Sequence, residues 1–202
     1  MHDDAFASSL ALFRSPEGAV VVEAKRGVAV DRRLVDAARD AGADLLWVQA
    51  PAVDAPLGFR RRGAYARFEG PTGVAPVALP RPPHELVQEL ERSCFSGVWG
   101  HPDPGEPDPE AIYVGLYERR EWVGICEADA AGRWIFGPGV LPHLRTTDRY
   151  VRLVRGAAAA LGPGPARLET WGDDDATLLA YRLVGFLPVE YMPAWELDLR
   201  QS

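Results

Sequence analysis

The chain has 202 residues, of which 47% are hydrophobic and 25% are charged. This length and composition fit one large globular domain, or one domain with a partial second one, and exclude an intrinsically disordered chain. The formal net charge of −7 argues against nucleic-acid binding, which depends on cationic side chains. No apolar run approaches the roughly 20 residues of a membrane span, and the acidic start of the chain is unlike a signal peptide. We therefore expect a cytoplasmic protein that does not bind membranes.

The first third of the chain predicts one helix and one strand with an extended tail. Residues 31–41 (DRRLVDAARDA) have the apolar spacing of a helix, and residues 45–49 predict a strand. A Leu-Gly-Phe step follows, and residues 60–69 are extended. Proline and glycine cluster over residues 70–83, where residues 74–79 predict a short strand.

The rest of the chain alternates predicted helices and strands. Apolar residues recur at helical spacing in residues 84–95, 148–161 and 173–184. Strands are predicted at residues 111–117, 121–127, 133–140, 167–171 and within 190–199. Short turns join the first three of these strands, so we expect them to be antiparallel neighbours. A helix separates the third strand from residues 167–171, which predicts a parallel pair.

The cysteines and histidines do not predict a metal site. Cys94 and Cys126 lack CxxC spacing and are expected to be buried free thiols. The four histidines show no ligand spacing.

One order of elements occurs twice along the chain. A helix, a strand, a Leu/Val-Gly-Phe step and an extended segment follow one another twice. The Gly-Phe step is Gly58-Phe59 in the first copy and Gly185-Phe186 in the second. This order reflects either an internal duplication or a chance pair of short matches.

From residue 111 onward the order of motifs resembles the GNAT N-acetyltransferase superfamily. The resemblance rests on a strand at residues 113–117, on Trp122-Val123-Gly124, on the run from Gly139 to Arg145 ahead of a helix, and on the run from Ala180 to Phe186, which looks like the family's "lYeklGF". It implies an α/β (α+β) fold with a mixed central sheet flanked by helices over residues 73–202. Residues 1–72 would be a degenerate half unit of the same type, which completes the sheet, covers the acceptor cleft or builds a homodimer interface.

The resemblance implies a binding site for acetyl-CoA. The backbone of Gly139, Val140 and Leu141 would pair with pantetheine, and the pyrophosphate would lie at the N-terminus of the following helix. That loop consists of Arg145, Thr146, Thr147, Asp148, Arg149 and Tyr150. It departs from the family pattern, because Asp148 and Tyr150 stand at the two glycine positions. Asp174 occupies the family's usual asparagine position near coenzyme A, and otherwise caps the helix.

The resemblance also implies catalytic residues. Tyr181 stands four residues before Gly185, where the family places its general acid; the alternative is a tyrosine on the helix's apolar side. Glu127 is the candidate general base, and the alternative is a solvated strand glutamate. The acceptor, an amine of a small molecule, would lie near residues 93–109, Trp99 and Trp122. The rival function is an inactive GNAT-fold protein that serves as a binding or assembly module.

Overall fold

The computed structural model of the chain describes residues 10–15, 18–24, 26–51, 53, 57–72, 76–98, 104–171 and 175–201. These residues form two compact units: the described residues up to Tyr65 and from Met192 onward, and Ala66–Tyr191. The contacts divide the chain inside a strand that runs on to residue 72, and they group the C-terminal residues with the first unit. The domain boundary between residues 72 and 73 stays a prediction. The duplication stays a prediction.

The first unit combines one helix with both kinds of strand pairing. Its described elements are β1 (Leu10–Arg14), β2 (Val20–Ala24), α1 (Arg32–Asp40) and β3 (Leu45–Gln49). β1 and β2 are antiparallel, β2 and β3 are parallel, and β3 pairs antiparallel with residues 194–198 of β10 (Leu187–Asp198). The side chain of Asp31 caps α1 by accepting from the backbone N–H of Leu34. The helix at residues 31–41 and the strand at 45–49 are confirmed; the sequence analysis missed β1 and β2.

The second unit holds the remaining elements. They are β4 (Arg60–Thr72, which starts in the first unit), α2 (His84–Cys94), β5 (Ile112–Glu118), β6 (Glu121–Asp129), β7 (Trp134–Phe136), β8 (Gly139–Val140), α3 (Thr147–Ala160), β9 (Gly164–Trp171), α4 (Asp175–Val184) and the start of β10. The three predicted helices are confirmed, with ends that differ by one or two residues. No helix within the described residues is long and apolar enough to cross a membrane.

The strand pairing of the second unit agrees with the predicted topology. β5, β6 and β7 are consecutive antiparallel neighbours, and β7 is parallel to β9. Two predictions are wrong. The strand at residues 133–140 is interrupted at Gly137-Pro138, so that β7 and β8 are separate. Residues 76–79, the described part of the predicted strand at 74–79, are not a strand, in keeping with Pro76 at their start and Pro80 directly after them.

Helices cover both faces of this sheet because successive strand residues point to opposite sides. On one face, Val114, Leu116, Ile135 and Leu168 pack with apolar residues of α3 and α4. On the other, Tyr113 and Ile125 pack with Val87, Leu90 and Cys94 of α2. Mixed strand pairing with flanking helices confirms the predicted fold class.

The side chain of Arg133 ties the β6–β7 turn to the turn between α3 and β9. Its Nε donates to the carbonyl of Pro165 at 2.7 Å, Nη1 to that of Leu161 at 3.0 Å, and Nη2 to that of Gly162 at 3.1 Å. These carbonyls end α3 and start β9, so one guanidinium fixes the start of the parallel β7–β9 pair.

Replacing Arg133 by methionine should lower the free energy of unfolding by about 2–3 kcal/mol, because several carbonyls lose a charged donor. Urea unfolding measures the change. Arg81→Met, at an exposed position, is the control and should change stability by less than about 0.5 kcal/mol. Equal stability of the two variants would contradict this role of Arg133.

Candidate active site

A break in strand pairing opens the second unit's sheet. β7 pairs with β9 at Trp134–Arg167, Ile135–Leu168 and Phe136–Glu169. After Gly137 and Pro138 the chain continues as β8, which pairs with β6. Proline has no backbone N–H and cannot donate to a strand ladder. The strands therefore diverge after Phe136.

A cleft of about 140 Å³ lies beside this divergence. Its walls come from the end of α2, from β8, and from the helices α3 and α4. They are formed by Cys94, Phe95, Gly97, Val98, Pro138, Gly139, Val140, Arg145, Tyr150 and Thr177. The cleft thus contains four of the residues predicted to bind acetyl-CoA.

Gly139 allows the end of α2 to approach β8. A Cβ atom at this position would stand 2.8 Å from the Phe95 ring and 2.9 Å from Cβ of Cys94. Any larger residue at 139 would push α2 away and change the cleft. Leu141 follows. It is half-buried and packs against the apolar clusters on both sides of the sheet.

The side chain of Arg145 bridges α2 and β8. Its Nε donates to the carbonyl of Val140 at 3.2 Å, and Nη2 donates to the carbonyls of Cys94 at 3.1 Å and Ser96 at 2.7 Å. Helix C-termini leave carbonyls without helical partners, and a guanidinium suits them by charge and geometry. Arg145 therefore holds the cleft walls together.

The predicted pyrophosphate loop starts helix α3. Thr146 is the N-cap residue in extended conformation, and its side chain makes no capping hydrogen bond. Thr147 begins the helix, and Asp148 is exposed in its first turn. Tyr150 is only 4% exposed and faces both the core and the cleft. An acidic group and a buried ring thus replace the family's glycines.

Two arginines of α3 are paired with Glu118 at the end of β5. Arg149 donates to a carboxylate oxygen of Glu118 at 2.8 Å and to the carbonyl of Leu144 at 2.9 Å. Arg152 binds the other carboxylate oxygen of Glu118. The hydrogen bond from Arg149 is the main cause that lowers the pKa of Glu118. An anion at the start of α3 would compete with Glu118 for these arginines.

Tyr181 lies where the strands diverge. Its side chain is 0% exposed, and its hydroxyl lies 3.1 Å from Oγ1 of Thr170 on β9. Its ring packs edge-on against Phe68, with ring centres 5.1 Å apart. A Cβ atom at Gly137 would stand 3.6 Å from the hydroxyl. The ring also belongs to the apolar cluster between α4 and the sheet, so the catalytic role and the alternative of a tyrosine on the helix's apolar side both stay predictions.

Glu127 lies on β6 directly opposite Tyr113 of β5. It is half-buried, and this burial, followed by the charges of Asp108 and Asp129, raises its pKa. Glu91, on the face of α2 between Leu90 and Cys94, has its pKa raised to about 7, first by burial and then by the charge of Glu127. Two carboxyl groups with weakened acidity therefore face the same side of the sheet.

No protein-family model and no curated relative matches the sequence. Solved structures do match. A conserved protein of unknown function from Staphylococcus epidermidis aligns over 95% of this chain and 91% of its own, with a TM-score of 0.58 at 13% identity. A GCN5-related N-acetyltransferase from Sphaerobacter thermophilus aligns over 94% of this chain and 76% of its own, with a TM-score of 0.55 at 15% identity. One from Anabaena variabilis aligns over 94% and 59%, with a TM-score of 0.56 at 11% identity.

The chain has the fold of the GCN5-related N-acetyltransferases. At such identities the likeness establishes the fold alone, and the roles of individual residues stay predictions.

The sequence analysis missed two residues of this GNAT fold that bear on the site. Glu91 belongs to the apolar stripe of α2 with Val87, Leu90 and Cys94, at helical spacing. A carboxylate in such a stripe was the available signal. Thr170 shows no sequence signal, because its contact with Tyr181 depends on the packing of α4 against β9.

Two predicted site residues of the GNAT fold, Asp174 and Trp99, lie outside the described residues. Trp122 is described, and its ring stacks at an angle on Tyr117 with centres 5.0 Å apart. In the part of the chain that the structure describes, no three His, Cys, Asp or Glu residues come together as metal ligands.

Glu91 predicts a pH dependence of stability. Its pKa is about 7 in the folded chain against 4.5 as its ordinary value, so the folded state binds the proton more tightly and loses stability as pH rises through this window. Glu91→Gln should therefore raise the free energy of unfolding at about pH 8 by about 1 kcal/mol, because solvent partly screens the half-buried carboxylate. At about pH 4 it should change the free energy of unfolding little. Urea unfolding at both pH values measures this.

The control is Glu89→Gln on the exposed side of the same helix, which should change the free energy of unfolding by less than about 0.5 kcal/mol. A Glu91→Gln variant with the wild-type pH profile would show that Glu91 is not desolvated in the folded protein.

Proposed function

We propose that the protein is an acetyl-CoA-dependent N-acetyltransferase that acts on an amine of a small molecule. The observation that carries the proposal is the divergence of β8 from β9 beside a cleft, with the Tyr181 hydroxyl at the point of divergence. A thioester that enters along β8 would bring its sulfur towards this hydroxyl.

The backbone of β8 suits an amide-containing arm such as pantetheine. The N–H of Leu141 donates to the carbonyl of Val123 on β6. Because antiparallel ladders alternate, the N–H and C=O of Val140 point away from β6 and towards the cleft. Arg145 already donates to this carbonyl, whose second lone pair remains for an amide of the substrate.

The chemical step needs two proton transfers. The amine nitrogen attacks the thioester carbonyl, and Glu127 removes a proton from nitrogen, directly or through a water molecule. The raised pKa of Glu127 makes it a stronger base than an ordinary glutamate. The C–S bond then breaks, and Tyr181 gives its proton to sulfur, so that an amide and a thiol leave. Glu127 returns its proton to solvent, and Tyr181 takes one from solvent.

Acetyl-CoA should bind the wild-type protein in a calorimetric titration, and Tyr181→Phe should bind it with nearly the same affinity. With an acceptor from a panel of small amines, Tyr181→Phe should lower turnover by roughly 10²–10⁴-fold, the usual contribution of general acid–base catalysis. Tyr191→Phe, at an exposed position on β10, is the control for loss of a phenol. Full activity of Tyr181→Phe would refute its catalytic role and leave the fold unaffected.

The second candidate function is a GNAT-fold binding or assembly module without catalysis. Asp148 in the first turn of α3, the buried ring of Tyr150, and the pairing of Arg149 with Glu118 favour it, because they oppose a pyrophosphate at this helix end. Under this function, acetyl-CoA would fail to bind even at about millimolar concentration, which corresponds to a binding free energy of about −4 kcal/mol.

Asp148→Asn separates the two functions. It removes a negative charge from the first turn of α3, where a charge typically contributes 0.3–1 kcal/mol. If the pyrophosphate lies at this helix end, the variant should bind acetyl-CoA about two- to fivefold more tightly in calorimetry. The control is Glu121→Gln, which removes an exposed charge from β6. Equal effects of both variants would indicate only a general change in net charge.

A further inference from the structure

Two buried hydroxyl groups meet beside the point where the β7–β9 ladder ends. The phenol oxygen of Tyr181 on α4 and Oγ1 of Thr170 on β9 are 3.1 Å apart, and the residues are 0% and 3% exposed. Each hydroxyl has one hydrogen to donate and lone pairs to accept, so the hydrogen bond between them can run in either direction.

Gly137 packs closely over this pair at the strand break. A Cβ atom at residue 137 would stand 2.8 Å from Oγ1 of Thr170 and 3.6 Å from the Tyr181 hydroxyl. Pro138, the next residue, lines the cleft. The pair therefore lies directly beneath Gly137, one residue before the cleft wall, and a side chain at 137 would crowd Thr170 first.

We propose that Thr170 is a positioning residue for Tyr181: its hydroxyl donates to the Tyr181 oxygen and directs the phenol hydrogen towards the thioester sulfur. The inference rests on the proposed function and adds a residue to it. When Tyr181 donates to Thr170, its hydrogen is turned away from the sulfur. Reversal of the hydrogen bond turns that hydrogen away from Thr170, and Thr170 can supply the reversed bond because a hydroxyl is also a donor.

The same hydrogen bond stabilises the charge that forms during proton transfer. The Tyr181 O–H bond breaks and an S–H bond forms, which leaves a phenolate oxygen in a buried site. Thr170 keeps its own hydrogen and donates to this oxygen, and hydrogen bonds to charged oxygens are roughly twice as strong as neutral ones. Tyr181 then regains a proton from solvent, so Thr170 is unchanged over the cycle.

Two substitutions separate the hydroxyl of Thr170 from its packing. Thr170→Val keeps the shape and removes the hydroxyl, whereas Thr170→Ser keeps the hydroxyl and removes a methyl group. We would measure acetyl-CoA affinity by calorimetry, kcat against pH with the amine acceptor, and thermal unfolding, for both variants, the wild type and Tyr181→Phe.

Thr170→Val should lower kcat roughly tenfold or more, the equivalent of one hydrogen bond to a charged group, and leave acetyl-CoA affinity within about twofold. The alkaline limb of its kcat profile should move to higher pH by about one unit, because the phenolate has lost a donor. Thr170→Ser should keep the wild-type profile even if it unfolds at a lower temperature.

Several results would overturn the proposal. If Thr170→Val has the wild-type kcat and pH profile while Tyr181→Phe is slow, Tyr181 acts without Thr170. If Thr170→Ser loses as much activity as Thr170→Val, the residue contributes packing alone. If the wild type itself neither binds acetyl-CoA nor turns over, the proposed function fails and this inference fails with it. The wild type alone shows that failure, whereas a failure of this inference alone shows only in the Thr170 variants of an active enzyme.

Discussion

The absence of a backbone N–H at Pro138 is the constraint on which the rest of the site depends. A parallel pair needs a donor from each strand in turn, and the β7–β9 ladder ends at Phe136, just ahead of the Gly-Pro step. The chain then turns to β6, and the backbone of Val140 is left facing a cleft. Under the proposed function, Gly137 and Pro138 thus create both the space for a substrate and the strand edge that would pair with it.

Side chains rather than further strand pairing hold this opening in shape. Arg145 connects the end of α2 to β8, and Arg133 fixes the turn that leads into β9. Both guanidiniums serve backbone carbonyls that regular secondary structure leaves without donors. The opening therefore lies between the side chains of Arg145 and Arg133. The end of α2 cannot move without breaking the hydrogen bonds from Arg145 to the carbonyls of Cys94 and Ser96.

Local sequence patterns predicted most of the second unit, and tertiary contacts account for what they missed. α2 and α3 follow from apolar spacing, and β5 and β6 from alternation around a charged turn. The sequence analysis predicts one strand across Gly137-Pro138, although a Gly-Pro step inside a strand pattern is itself a signal for a break. β2 is a short apolar run without alternation, so its period gives no signal. The contacts of Tyr181 with Thr170 and of Glu91 with the Glu127 side of the sheet arise only when distant segments pack.

The two cysteines have a practical consequence for enzymology. Burial raises the pKa of Cys94 to about 12 and that of Cys126 also upward, so both thiols stay protonated near neutral pH. Only thiolates react quickly with disulfide dyes, and neither side chain is accessible in the folded chain. A colorimetric assay with such a dye would therefore register coenzyme A set free in solution against a silent protein background. Slow colour development without acceptor and without acetyl-CoA would report unfolding.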